Sequence, residues 1–512
     1  METTIEKDIT KREIIETKKK NRNIFTMENL LCFLIVICPI LDVSSFLFRN
    51  YFNTSISIST FIRPIIPIIA IIYIFFKDKL KPQLLIATLS YGIYSLCHMY
   101  IFHKIKAGCS YGNDLRELQY LVNYTFMAMN LFIYIYFFAV KNRQKEMKEG
   151  EKGKITQKLK IAVLIALTFY ITFIYLALIT GTSSFTYAED KMGYKGWFES
   201  GNSTGTIMIL SLFIVLPMIG KKNKPAIRIW SLMINVLVGD YLTTLLGTRT
   251  GLLGFIITLV VYAAFCMIHG LLHKKNADKK IVLALVIAFA IMGTIVILFG
   301  SRTFERRKLL QNRENEIYDE MTGQPAHVTG DIVKIVEQIK EGTLDTDYMP
   351  ENMQQTMLDL YRIANEKEIP YTNMRALQFI YHSNLVKNQN SIPMLLFGNG
   401  YMTHFYEMIF EMEVPAFLYN FGVIGFFLYF MPFLVIALYG IYTMFRKVKK
   451  VSVEFAMLTT GLCFAILISF LSGYTFFNSS TMMIIIALSS LIINDIKDID
   501  DNEIKIYEKG NL

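Results

Sequence analysis

The residues best suited to chemistry are carboxylates, a histidine and several arginines, set close to the ends of apolar runs. Glu411 and Glu413 stand two positions apart just before a long hydrophobic stretch, where hydropathy places a membrane surface. Partial burial raises a carboxylate pKa toward that of a general base, and a neighbouring arginine lowers it. His404 is a second candidate base, or a polar loop residue. Arg249 lies in the turn Leu246-Gly247-Thr248-Arg249-Thr250-Gly251; its planar fork suits two-point binding of a phosphate, or it snorkels to the interface. Arg375 opens the amphipathic run that ends at His382, and Arg302, Arg306 and Arg307 cluster where another apolar run stops; these are ligands or solvated charges.

Ionisable groups inside membrane spans are costly, which makes them functional candidates. Asp42 and Arg63 fall at similar depth in two successive apolar runs, and Asp240 lies in a later one. Asp42 and Arg63 either line a polar cavity or pair with each other. Arginines gathered around one outward cavity fit a lipid-linked diphosphate better than a metal or a nucleotide. HExxH, P-loop and CxxC patterns are absent, so no metal or other cofactor is expected. Gly398-Asn399-Gly400 lacks the strand and helix that would make it a nucleotide motif and reads as a turn.

Apolar helices must position these groups. The 512-residue chain is 53% hydrophobic with a mean hydropathy of +0.39, and runs of about 20 apolar residues recur, each long enough to cross a bilayer. The pattern predicts an all-α polytopic membrane protein with twelve spans: Glu28–Phe48, Ile56–Phe76, Leu84–Phe102, Glu117–Val140, Ile161–Thr180, Thr204–Ile219, Ile227–Leu246, Gly251–Leu272, Ile281–Phe299, Val414–Phe445, Phe455–Tyr474 and Met482–Ile493. The tenth is long enough to imply tilt or an end emerging from the bilayer. The net charge of +10 comes from lysine-rich short loops, the positive-inside signature, and nothing points to nucleic acid. Both ends are expected in the cytoplasm, the first without a cleavable signal. Five of the six cysteines sit in apolar runs and one, Cys109, in a polar loop, which makes no disulfide framework.

The expected organisation is a basic cytoplasmic stretch over 1–26, helices 1–9 over 27–300, an outer segment over 301–413, helices 10–12 over 414–495 and an acidic tail over 496–512. Within the outer segment, Ile332, Ile335, Val336 and Ile339 share one helical face, and Met357, Leu360, Tyr361 and Ala364 another. These read as short helices lying over the membrane face as a lid.

In order and topology these motifs resemble the O-antigen polymerase and O-antigen ligase superfamily (Wzy- and WaaL-type proteins), with the closer likeness to Gram-positive polysaccharide polymerases. The large outer segment between helices 9 and 10 matches. So do the Arg249 turn after helix 7 and Arg375 ahead of Leu396-Phe397-Gly398-Asn399-Gly400. Glu411-Met412-Glu413 leads into Phe421-Gly422-Val423-Ile424-Gly425, like the family's glycine-x-x-glycine stretch, and Trp197 to Asn202 looks like its asparagine-containing start of helix 6. Lipid A ligases carry a histidine and an asparagine before the final glycines. Here Glu411 stands at that point, which favours a polymerase or a cell-wall glycan transferase.

The resemblance implies a GT-C-like, metal-independent glycosyltransferase of the plasma membrane, its site facing outside. It would join repeat units carried on undecaprenyl diphosphate into capsule, exopolysaccharide or wall glycan. Glu411 or His404 would take the acceptor proton; Arg249, Arg375, Arg63, Arg302, Asn202 and Glu413 would bind substrate. A ligase moving finished glycan onto a cell-wall or lipid acceptor shares these motifs. A flippase of lipid-linked sugars is the rival of another class, but it should show paired repeats and discontinuous helices. A chain-length regulator or a flippase of the same pathway would be its partners.

Overall fold

The structure, a computed structural model, describes residues 26–52, 58–77, 82–105, 114–141, 154–188, 190–220, 224–273, 293, 300–309, 326–344, 349, 351–369, 373–389, 392–400, 410, 412–471, 473 and 475–510. Helices α1 (Met27–Phe52), α2 (Ile58–Lys77), α3 (Pro82–Ile105) and α4 (Asp114–Ile135, with a π turn to Lys141) come first. α5 (Lys154–Ile179) leads through a hairpin of β1 (Ser184–Tyr187) and β2 (Met192–Gly196) into α6 (Gly201–Val215), which tightens into a 3₁₀ turn. α7 (Pro225–Asp240, with a π turn to Leu245) and α8 (Arg249–His273) follow. Each of these eight lies where hydropathy places a span. The predicted ninth helix falls outside the described residues, apart from Gly293.

Eight helices among the described residues are long and apolar enough to cross a bilayer, and a ninth if one bent pair is a single span. Every residue of α6 except Asn202 is buried, as expected of a helix apolar all round at a bundle's centre. Peripheral helices expose apolar stripes instead: Ile86, Leu89, Ile93 and Leu96 on α3, and Ile229, Leu232, Met233 and Val236 on α7. Stripes of that extent are wetted by lipid tails rather than by water.

The expected long helix 10 is broken. α14 (Glu413–Asn420), α15 (Gly422–Tyr429) and α16 (Met431–Arg446) replace it, with a 49° bend between the last two. Gly422 takes a left-handed φ of +69°, and Pro432 sits in the first turn of α16, where its missing N–H costs nothing. The expected single helix is thus divided into three. α17 (Val453–Leu471) and α18 (Ser479–Gly510) complete the bundle.

The lysine-rich helix ends meet at one end of the bundle. Lys158 donates to Asn29 at 3.0 Å, Lys160 pairs with Glu454, Lys447 with Asp500, and Lys141 lies over the Tyr73 ring at 4.7 Å. At the other end stand the hairpin, the short helix α9 (residues 302–309) and the lid: α10 (Ala326–Lys340), α11 (Glu351–Glu366), α12 (Met374–Gln389) and α13 (Ile392–Phe397). The lid has its own small core of Ile332, Val336, Met353, Met357, Leu360, Ala364, Leu377 and Tyr381. Both amphipathic faces read from the sequence thus turn inward.

Candidate functional site

The hairpin, the turn before α8 and the start of α9 form one unit, joined backbone to side chain. Thr186 Oγ1 donates to the Leu246 carbonyl at 2.9 Å, Tyr241 to the Tyr194 carbonyl at 2.9 Å, and Ser301 to the Thr243 carbonyl at 2.7 Å. Gly193 and Gly247, both at positive φ, lie face to face; a Cβ on Gly193 would strike the Leu246 carbonyl. A Cβ on Gly205 of α6 or on Gly251 of α8 would meet the Leu246 side chain at 2.8 Å. The first turns of α6 and α8 therefore adjoin.

That junction gathers three of the predicted site residues. Arg249 is the first residue of α8 and is exposed, beside Thr248, whose hydroxyl caps the Gly251 N–H at 3.1 Å. Asn202 is exposed in the first turn of α6. Arg302 pairs with Glu305 at 2.7 Å over the Tyr194 ring, and Arg306 lies over Tyr187, 3.3 Å from the ring centre. The first turns of two helices and several guanidinium groups make this end receptive to a bound anion.

Arg63 and Asp42 do pair, and the pair is part of a larger knot. One Asp42 oxygen accepts from Arg63 and from Ser480 (2.9 Å), and the other accepts from Tyr170. Arg63 also donates to Ser480 at 2.9 Å. Four helices, α1, α2, α5 and α18, are tied through one carboxylate. Of the two readings of these residues, the ion pair is the one realised.

Arg375 is exposed at the start of α12 and shares a face, by spacing, with Phe379 and His382. Phe379 meets Tyr419 edge-on and His382 stacks on Phe410 at 4.2 Å, so this face of the lid leans on α14 and the residues just before it. The Gly398–Gly400 turn docks there. Asn399 N–H donates to the Tyr419 carbonyl at 3.0 Å and Gly400 N–H to the Asn420 carbonyl at 2.9 Å. Gly398 (φ +86°) and Gly422 abut: a Cβ on either would strike the other's backbone neighbourhood, Asn420 in one case and Gly398 with Leu396 in the other.

Beneath the turn lies a polar pair that the reading of the sequence passed over. His98 Nε2 and Glu117 are 2.9 Å apart, His98 Nδ1 is 2.6 Å from the Phe397 carbonyl, and Tyr94 donates to the Phe421 carbonyl at 2.6 Å. An ionisable His98 in the third apolar run was the available signal. Its partner was hidden because Glu117 lies in the first turn of the next helix.

Glu413 is turned into the protein. It is 1% exposed, and its carboxylate accepts three successive backbone amides, from Thr475 (2.6 Å), Phe476 (2.7 Å) and Phe477 (3.0 Å). Both oxygens are bonded by the α17–α18 connection. Glu411 and His404 lie outside the described residues, between the Gly400 turn and Met412. Among the described residues, no group of three or more His, Cys, Asp or Glu side chains is placed to hold a metal ion.

A family model described as O-antigen ligase like membrane protein matches residues 24–498. No curated protein and no solved structure matches the chain.

Proposed function

We propose, from the premise that this chain belongs to the O-antigen ligase-like membrane protein family, that it polymerises lipid-linked glycan repeat units at the outer face of the plasma membrane. Membership makes it a multi-pass membrane enzyme that transfers glycosyl groups. The observation that carries the finer reading is the junction of the α6 and α8 N-termini with Arg249 and Arg302, at the end of the bundle away from the lysine-rich helix ends. By the positive-inside rule that end is the outer one.

In the proposed reaction the hydroxyl oxygen of an acceptor repeat unit attacks the anomeric carbon of the donor. The new glycosidic C–O bond forms as the C–O bond to undecaprenyl diphosphate breaks, and the diphosphate leaves with the bonding electrons. Glu411 takes the hydroxyl proton, with His404 as the other candidate; such general-base help is worth roughly 100- to 10,000-fold. Arg249 and Arg375 bind the diphosphate as its charge grows, and no metal is required. A well-placed donor of this kind lowers the barrier by roughly 3–4 kcal/mol.

The test is deletion of the gene in its host, complemented with wild type, Arg249→Ala or Glu411→Gln, followed by analysis of lipid-linked and surface glycans. Single repeat units accumulating on the carrier are the expected result. Long chains held on the carrier but missing from the surface would instead identify a ligase. Repeat units trapped on the cytoplasmic face would mean a flippase and overturn the enzyme.

A further inference from the structure

At the lysine-rich end of the bundle a groove of about 190 Å³ opens between α8, α16 and α17. Phe265, Ile268 and Leu272 line it from α8, Met444 and Phe445 from α16, and Val453 from α17. Ile268, Leu272 and Phe445 are exposed, so the groove opens on the lipid-facing surface. A slot this apolar offers water few partners, and one this small admits no folded protein. It suits a hydrocarbon chain.

The cations at this end are unequally engaged. Lys158 is taken up by Asn29, Lys160 by Glu454 and Lys447 by Asp500. Arg446 instead leans on Tyr442, and among the described residues neither Arg446 nor Lys449 has a carboxylate partner. Both are exposed, as is Lys450. These three alternate along the chain with Phe445, Val448 and Val451, which line the groove. His273 fastens this stretch to α8: its Nε2 lies 2.9 Å from the Lys449 carbonyl, and its ring lies 4.2 Å from that of His269, another lining residue. Positive charge without a carboxylate partner therefore borders an apolar slot open to the bilayer. Basic side chains at a membrane surface attract anionic headgroups.

We propose that this groove binds an anionic phospholipid of the leaflet that meets the lysine-rich end, with one acyl chain between α8, α16 and α17 and the phosphate at Arg446, Lys449 and Lys450. Both halves of the ligand follow from the site. A soluble anion would meet the cations and leave the slot empty, and a zwitterionic lipid would fill the slot and leave the cations in excess. The site stands at the opposite end of the bundle from the Arg249 junction and does not depend on the glycan that is transferred.

The test uses the full-length protein in nanodiscs that contain phosphatidylglycerol or phosphatidylcholine with a photoreactive acyl chain, followed by peptide mapping of the label. Phosphatidylglycerol should label the groove peptides of α8 and α17 about 10- to 100-fold more than phosphatidylcholine, and Lys449→Ala should reduce that preference about fivefold. Alanine at 446, 449 and 450 together should abolish it. Ile268→Trp, which fills the slot, should remove the label from α17 with either lipid. Lys141→Ala, which removes a cation of the same end that lies on Tyr73 instead, should change nothing. Thermal unfolding selects the variants that fold. Equal labelling by the two lipids would overturn the proposal, as would an equal loss in Lys141→Ala or label spread evenly over the lipid-facing α3. Ile268→Cys crosslinking to a cysteine placed within 281–299, or to a second copy, would show protein covering the groove and would overturn it as well.

Discussion

The arginine-bearing junction and the glycine clasp are built on opposite plans. At the junction, the hairpin and the buried Leu246–Thr248 turn are bonded to each other, while the candidate side chains, Arg249, Asn202 and Arg302, are left exposed. At the clasp, the side chains themselves go inside: His98 and Asn399 are 0% exposed and Glu413 is 1%. A buried polar group costs free energy unless its partners are all in place, so the clasp trades solvent for fixed geometry. An exposed guanidinium keeps its capacity for a ligand. Substitutions at the clasp should therefore be felt as stability and those at the junction as activity.

The sharpest way to break that contrast is Gly422→Ala. A left-handed φ and a Cβ driven into Gly398 and Leu396 should cost about 3–5 kcal/mol of stability. Thermal unfolding in detergent measures it, and a wild-type Tm would show that the clasp is not tight. His98→Ala removes the imidazole between Glu117 and the Phe397 carbonyl, and about 3 kcal/mol should go with it. If instead His98→Ala unfolds like wild type but loses activity, the pair belongs with the reacting groups.

Arg249→Ala should do the reverse, lowering turnover about 100- to 1,000-fold while leaving the unfolding temperature where it was. A fall in stability comparable to that of His98→Ala would erase the distinction between the two regions.

The smallest effect is expected in the lid. Asp359 joins α11 to α12 through Asn388 (2.9 Å) and also accepts from Arg362 (3.1 Å). Burial works against its charged form, but those hydrogen bonds outweigh it and hold the carboxyl below its ordinary value. The stabilisation is therefore present at neutral pH and lost as pH falls through the lowered value. Asp359→Asn should cost under about 1 kcal/mol, since the group keeps partial access to water and its partner Arg362 is exposed. Hydrogen exchange in α11 and α12 should differ from wild type at neutral pH and converge with it below 3.8, the carboxyl's ordinary value.

Much of this arrangement was legible in the residues. Hydropathy located every described span, because twenty apolar residues in a row have few other uses. The two lid faces followed from helical spacing, and the Gly398–Gly400 turn from its glycines. Asp42 and Arg63 betrayed each other by depth. The break in helix 10 was written in Gly422 and Pro432, but average hydropathy runs straight through both. The hairpin was missed because its strands are too short for alternation to register. Glu413 and the His98–Glu117 pair were illegible for another reason: an acceptor's role depends on donors that arrive from far along the chain, here 62 to 64 residues away for Glu413.

The back-to-back glycines also have a bearing on diversification. With Gly398 and Gly422 each occupying the room of the other's missing side chain, neither flank of the clasp can gain or lose a residue without prising the two apart.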